Sequence, residues 1–287
     1  MQLVISVIRA ENKAFDLPAP DKVIRVTPMT QARFAGKAAI ITGGSGGIGS
    51  AIASAFVDEG AMVGVIDTNQ ETLDMSVSAL VARGGRAQGL VVDVRNHEAV
   101  NEAISTFASH FGRIDILVAA AGGSLGTPRD LDQITEADID LVLDVNVKGT
   151  FNCARAVIPY MKKVNGGAIV TFSSIGGRGA SPVTGVPYAS AKSGILGLTR
   201  RLAREVGPDN IRVNAIAPGL FLTGRLQGMF DALPENERNE VLNAIPLKRM
   251  PDINECVQPV LFLASEAASY MTGTILDVNG GRLMPSS

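Results

Sequence analysis

Seven short apolar runs punctuate the chain from residue 38 onward: AAIIT (38–42), AMVGVID (61–67), AQGLVVDV (87–94), IDILVAA (114–120), GAIVTFS (167–173), IRVNAIA (211–217) and TILDVN (274–279). Each has the length and near-continuous apolar character of a strand buried on both faces. Between the runs, apolar positions recur at helical spacing. Ile48, Ile52 and Ala55 follow the first run, Phe151, Ala154, Val157, Ile158 and Met161 form a later stripe, and Ile195, Leu198, Leu202 and Val206 form another. Buried strands alternating with amphipathic helices predict an α/β fold, a doubly wound domain whose mostly parallel seven-stranded sheet is covered on both sides.

Residues 1–35 depart from this rhythm. Leu3–Ile8 and Lys22–Val26 read as short strands separated by Pro18 and Pro20, an arm rather than a tail, because β-branched residues suit packing. The expected division is therefore an extension at 1–35 and one domain at 36–287. Composition narrows the function classes. A net charge of −2 lacks the basic footprint of a nucleic-acid binder. Two cysteines, Cys153 and Cys256, are too few for a disulfide scaffold. Two histidines, His97 and His110, cannot build a multi-histidine metal site, so no metal is expected. No apolar run reaches the ~18–20 residues of a membrane span. Met1–Ile8 has no basic lead of the secretory kind. The expectation is a cytoplasmic protein without nucleic-acid or membrane partners.

The 31 glycines are an excess, about 11% against a usual ~7%, and their placement matters more than their number. The first strand runs directly into Thr42-Gly43-Gly44-Ser45-Gly46-Gly47-Ile48-Gly49, where a helix opens. Glycines there let the backbone approach a pyrophosphate, whose charge meets the N–H groups of the helix start. A strand-to-helix turn without a ligand would use similar residues, but the setting is that of a Rossmann-type dinucleotide fold. The second strand ends at Asp67, 18 residues beyond Gly49, close to the ~20 at which a carboxylate accepts both hydroxyls of an adenosine ribose. No Arg or Lys lies in Gly44–Gly47 or Thr68–Gln70 to hold a 2′-phosphate, which predicts NAD over NADP.

Tyr188 and Lys192 stand four residues apart, on one face of a helix. An ammonium one turn away favours a phenolate; alone, such a pair also describes an ordinary helix surface. Ser174 follows the fifth strand, at the sheet edge where open α/β folds bind ligands, with Ser173 an equal competitor on the residues alone. Asn146 within a helical pattern is locally unfavourable and invites a functional account.

Taken in order, the loop T-G-x-x-x-G-x-G at 42–49, Asp93-Val94, Asn146 in DVNVKG, Ser174 in TFSS, Tyr188 and Lys192 in Y-A-S-A-K, and Asn214 with Pro218-Gly219 in NAIAPGLFLT resemble the classical short-chain dehydrogenases/reductases from about Gly36 to Gly281. The resemblance implies a catalytic tetrad of Asn146, Ser174, Tyr188 and Lys192. It implies cofactor contacts from Gly43, Ser45, Gly47, Ile48, Gly49, Asp67, Asp93, Val94, Ala121, Gly122, Tyr188, Lys192, Pro218, Gly219 and Thr223. It also implies a homo-oligomer, dimer or tetramer, joined through the helices bearing Phe151–Met161 and Tyr188–Val206. The activity implied is hydride transfer between a nicotinamide and a small secondary alcohol or ketone.

Two departures stand out. Ala119-Ala120-Ala121-Gly122 replaces the family's N-N-A-G, which predicts a less securely held turn. The interval from Ser174 to Tyr188 holds Gly176, Gly177, Gly179, Pro182, Gly185 and Pro187, predicting a rearranged substrate mouth. Residues 220–250 read as a lid mixing Leu222, Leu226, Met229 and Phe230 with Arg225 and Arg238; Arg225 or Arg178 is available to an acidic substrate group, with solvated surface the plainer role for each. Three other functions fit the chain: a catalytically idle NAD-binding sensor or scaffold, an interaction module built on the arm, and a 3-oxoacyl-carrier-protein reductase, whose usual preference for NADPH sits poorly with Asp67.

Overall fold

The computed structural model describes residues 32–180 and 184–284, without the side chains of Arg225, Leu226 and Met229. The arm strands expected at Leu3–Ile8 and Lys22–Val26, and Pro182 of the mouth, lie outside the described residues.

The seven apolar runs form one sheet: β1 (Ala38–Thr42), β2 (Met62–Asp67), β3 (Ala87–Val91), β4 (Ile116–Ala119), β5 (Gly167–Phe172), β6 (Ile211–Pro218) and β7 (Ile275–Val278). Their order across the sheet is β3-β2-β1-β4-β5-β6-β7, and every pairing is parallel. The central strands are continuously apolar because both faces are covered. One face packs under α1 (Gly47–Asp58), α2 (Gln70–Ala82) and, later in the chain, Asn254–Ala264, with Ile52, Phe56, Leu73 and Leu261 in its core. The other packs under α3 (His97–Phe111), α5 (Gly149–Lys163) and α6 (Val186–Val206), around Ile104, Phe107, Val157 and Ile211. Phe34 already belongs to the first of these cores, 4.7 Å from Phe56 between ring centroids.

The stripe expected from Phe151 to Met161 is buried at Ala154, Val157 and Met161, but Phe151 is 49% exposed. The periodicity carried one residue too far towards the helix start. Before α5, α4 (Glu136–Leu143) opens on a capping box between Thr135 and Asp138. It then passes into a wide turn at Asp144–Lys148, where Gly149 N–H donates to the carbonyl of Asp144, five residues back. Such one-residue expansions of a helix recur at functional sites. After β6 come α7 (Arg225–Asp231) and α8 (Glu235–Asn243), which buries no residue, and then α9 (Asn254–Ala264). The guanidinium of Arg238 on α8 donates to the carbonyl of Asp231 at 2.9 Å.

Strand order reverses between β1 and β4, so the loops leaving their carboxyl ends diverge and open a crevice there, the position at which such sheets bind ligands.

Candidate active site

A cleft of about 650 Å³ occupies this crevice. Its floor begins at the glycine loop. Gly49 sits so close to the preceding turn that a Cβ there would stand 2.0 Å from the carbonyl oxygen of Gly43, so only glycine fits. No side chain caps the start of α1 and no acidic residue lies in its first turn; Ser45, Gly46, Ile48 and Gly49 face the cleft instead. Exposed N–H groups at a helix start are the donor set a pyrophosphate needs. At the far rim, Asp67 Oδ2 accepts the N–H of Ser45 at 3.1 Å and Oδ1 that of Thr68 at 2.8 Å. Beside it Asp93 and Val94 also line the cleft. The Arg95 guanidinium grips the Asp93 carboxylate through both oxygens and holds its pKa below the usual carboxylate range. Arg95 itself lies on the wall, a cleft residue that the motif reading passed over. These donors and acceptors fit a dinucleotide.

The turn after β4 is held from two sides. The Thr42 hydroxyl accepts Ala121 N–H at 3.1 Å. Asn146, 1% exposed in the wide turn, accepts Gly123 N–H at 3.0 Å and donates to the carbonyls of Gly123 at 2.9 Å and Val142 at 2.8 Å. The looser turn expected from the missing asparagine pair is thus supplied with hydrogen bonds by Thr42 and Asn146. Gly122, at φ +146°, lies against Asn146, and a Cβ there would stand 2.3 Å from its Oδ1.

The opposite wall is α6. Pro187 near its start pre-sets the first turn, and Tyr188 and Lys192 project together into the cleft with Lys192 Nζ 5.7 Å over the Tyr188 ring. Lys192 is buried and donates to the carbonyl of Phe172 at 2.9 Å; burial drives its pKa down to about 8. Burial pushes the Tyr188 phenol above its ordinary value, opposed by a hydrogen bond from Ser174. The two serines separate cleanly. Ser173 donates its hydroxyl to the carbonyl of Lys192 at 2.8 Å, whereas the Ser174 oxygen accepts Gly176 N–H at 3.2 Å and its hydroxyl is the one that opposes the effect of burial on Tyr188.

Thr223 lies on the cleft wall, its Oγ1 3.3 Å from where a Cβ on Gly47 would stand. Pro218 and Gly219 do not line the cleft. Gly219 passes within close approach of Asn279 and borders a separate cavity of about 250 Å³ with Phe221 and Ile245. Arg178 is neither a solvated residue nor free for a substrate acid: it forms a two-pronged ion pair with Asp277. Among the described residues, no cluster of three His, Cys, Asp or Glu side chains could hold a metal ion, and no helix is long and apolar enough to cross a membrane.

Residues 43–282 match the family described as enoyl-(acyl carrier protein) reductase. A 3-oxoacyl-[acyl-carrier-protein] reductase FabG of Thermotoga maritima is 39% identical over 251 residues, 87% of this chain and 98% of the relative. The (2S)-[(R)-hydroxy(phenyl)methyl]succinyl-CoA dehydrogenase subunit BbsD of Thauera aromatica is 38% identical over 86% of this chain and 96% of its own. Among solved structures, an NAD+-bound xylitol dehydrogenase superposes with a TM-score of 0.82 at 32% identity, covering 87% of this chain and all of that one.

Proposed function

The chain belongs to the short-chain dehydrogenase/reductase family, and on that basis we propose that it interconverts a secondary alcohol and a ketone with NAD as its cofactor. One observation carries this reading: Tyr188 and the buried Lys192 share a cleft wall, with Lys192 Nζ 5.7 Å over the Tyr188 ring and Ser174 at the end of the adjoining strand. Ser174 and Tyr188 together offer two hydroxyls to one substrate oxygen. In the oxidative direction Tyr188 takes the carbinol proton at its phenolic oxygen, and in reduction it returns that proton. Lys192 presents a positive charge that favours the phenolate. Asn146 holds the Gly123 backbone and the wide turn, keeping the opposite wall in place.

When bound, the nicotinamide dinucleotide supplies the hydride chemistry. Gly43, Ser45, Gly47, Ile48 and Gly49 would hold its pyrophosphate, Asp67 its adenosine ribose, Asp93 and Val94 its adenine side. Ala121, Gly122, Lys192 and Thr223 would hold its nicotinamide half. The Asp67 carboxylate repels a 2′-phosphate, which favours NAD. Pro218 and Gly219, at the end of β6, would carry the chain past the nicotinamide half towards Thr223.

A second reading, reduction of a 3-oxoacyl thioester on a carrier protein, is favoured by the FabG relative. A spectrophotometric screen separates the two: secondary alcohols with NAD or NADP at mildly alkaline pH, against a 3-oxoacyl carrier thioester with NADH or NADPH. Turnover of alcohols with NAD, abolished in Tyr188→Phe, supports the proposal. Full turnover by Tyr188→Phe sinks it, faster turnover of the thioester with NADPH replaces it, and cofactor binding without turnover of either class returns the idle sensor. Self-association through α5 and α6, as a dimer or tetramer, is part of the same proposal and is read from sedimentation.

A further inference from the structure

The segment following β5 is anchored on two sides. Ser174 caps the short turn Ile175–Gly177, its hydroxyl oxygen accepting Gly176 N–H at 3.2 Å. On one side the turn lies hard against α6: Ser193 donates to the carbonyl of Gly177 at 2.9 Å, and a Cβ on Gly177 would stand 2.4 Å from the carbonyl carbon of Lys192. On the other side Arg178, the residue closing the turn, reaches the last strand. Its Nε donates to Asp277 Oδ1 at 3.0 Å and its Nη2 to Asp277 Oδ2 at 2.8 Å, across 99 residues of sequence. The two side chains are only 17% and 25% exposed, so water does little to weaken the pair. The C-terminal segment closes over the same place, where Gly179 meets Leu283 and Asn279 donates to the Leu283 carbonyl at 3.0 Å.

We propose that Arg178, braced by Asp277, is a positioning residue that fixes Ser174 against Tyr188 and so sets the reactivity of the phenol. The proposal rests on the roles given above to Ser174 and Tyr188. A planar guanidinium gripping both carboxylate oxygens fixes direction as well as distance, which a lysine ammonium cannot do. Arg178 closes the very turn that Ser174 opens, so play at one end passes to the other within a single turn. The Ser174 hydrogen bond is the interaction that opposes the effect of burial on the phenol, and slackening it raises the pH at which Tyr188 loses its proton. Of the groups around Tyr188, Lys192 on its own helix carries the charge. Ser173 and Ser174 from the mouth segment and Gly122 from the β4 turn carry none. On α4, Asp138 is held by Thr135 and Asp140 is exposed.

The test is the pH profile of alcohol oxidation by Arg178→Lys and Asp277→Asn in the full chain, with NADH binding and melting temperature measured alongside. Arg83→Ala, which breaks another two-pronged pair, with Asp58 and half exposed, serves as the control. In both mouth variants kcat is expected to fall about tenfold, as a small misplacement at a reacting centre does. The acid limb should move alkaline by roughly half a unit, NADH binding should be unchanged, and the control should keep the wild-type profile. A mouth variant that loses melting temperature but keeps the wild-type limb and kcat overturns the proposal, because the pair is then merely structural. Retained turnover in Tyr188→Phe would instead remove the underlying reading.

Discussion

The backbone N–H of Ser45 donates to the carboxylate of Asp67 at 3.1 Å, tying the glycine loop to the end of β2. The residue assigned to the adenosine ribose therefore also braces the loop assigned to the pyrophosphate. Asp67→Ala removes both contacts. NADH affinity is expected to fall about tenfold, the worth of one charge-assisted hydrogen bond, with NADPH affinity unchanged or improved. Fluorescence titration with each reduced cofactor measures both.

Lys192 is held buried with its pKa down at about 8, below the ordinary lysine value of 10.5. The folded state therefore binds its proton less readily than the unfolded chain. Stability is penalised below the folded pKa, and the penalty lifts as pH rises from about 8 towards 10.5. Lys192→Met is expected to be more stable than wild type at pH 7 by an amount on the order of 3 kcal/mol before packing losses. That advantage should shrink through the alkaline window while activity is lost throughout. Denaturant titrations of both proteins at neutral and alkaline pH test the sign.

Asn146 makes three hydrogen bonds from a site 1% exposed to solvent. Asn146→Ala leaves the N–H and carbonyl of Gly123 without these partners, at a cost of about 1–3 kcal/mol for each group left unpaired. The expected variant is folded but several degrees less stable, with faster amide hydrogen exchange at Gly123.

Gly49→Ala places a methyl 2.0 Å from a backbone oxygen that cannot swing aside. The loop must move to admit it. NADH binding is expected to vanish below any practical concentration, while far-ultraviolet circular dichroism stays near that of wild type because the strand cores lie elsewhere.

The sheet and the glycine loop were legible because each depends on local sequence: short, near-continuous apolar runs for the strands, and glycines where a strand meets a helix. Tyr188 and Lys192 were legible for the same reason, being one helical turn apart. The choice between Ser173 and Ser174 was not, since both hydroxyls follow the same strand and only the packing of α6 assigns one of them to Lys192. Arg178 with Asp277 was illegible because the partners are far apart along the chain and nothing near either one announces the other. Phe151 misled through periodicity alone, which places a residue on a face without saying where that face turns to solvent.

The wide turn at Asp144–Lys148 bears on how this chain tolerates changes of length. A deletion inside an ordinary stretch of α5 would rotate everything after it by about 100°, carrying Val157 and Met161 off the sheet. The wide turn already holds one residue more than a regular helix needs. A single deletion there would let α4 run into α5 without a break, leaving the buried face of α5 in phase and costing chiefly the inward aim of Asn146. The extra residue therefore serves the active-site wall and not the core, since α5 meets the sheet in the same phase with or without it.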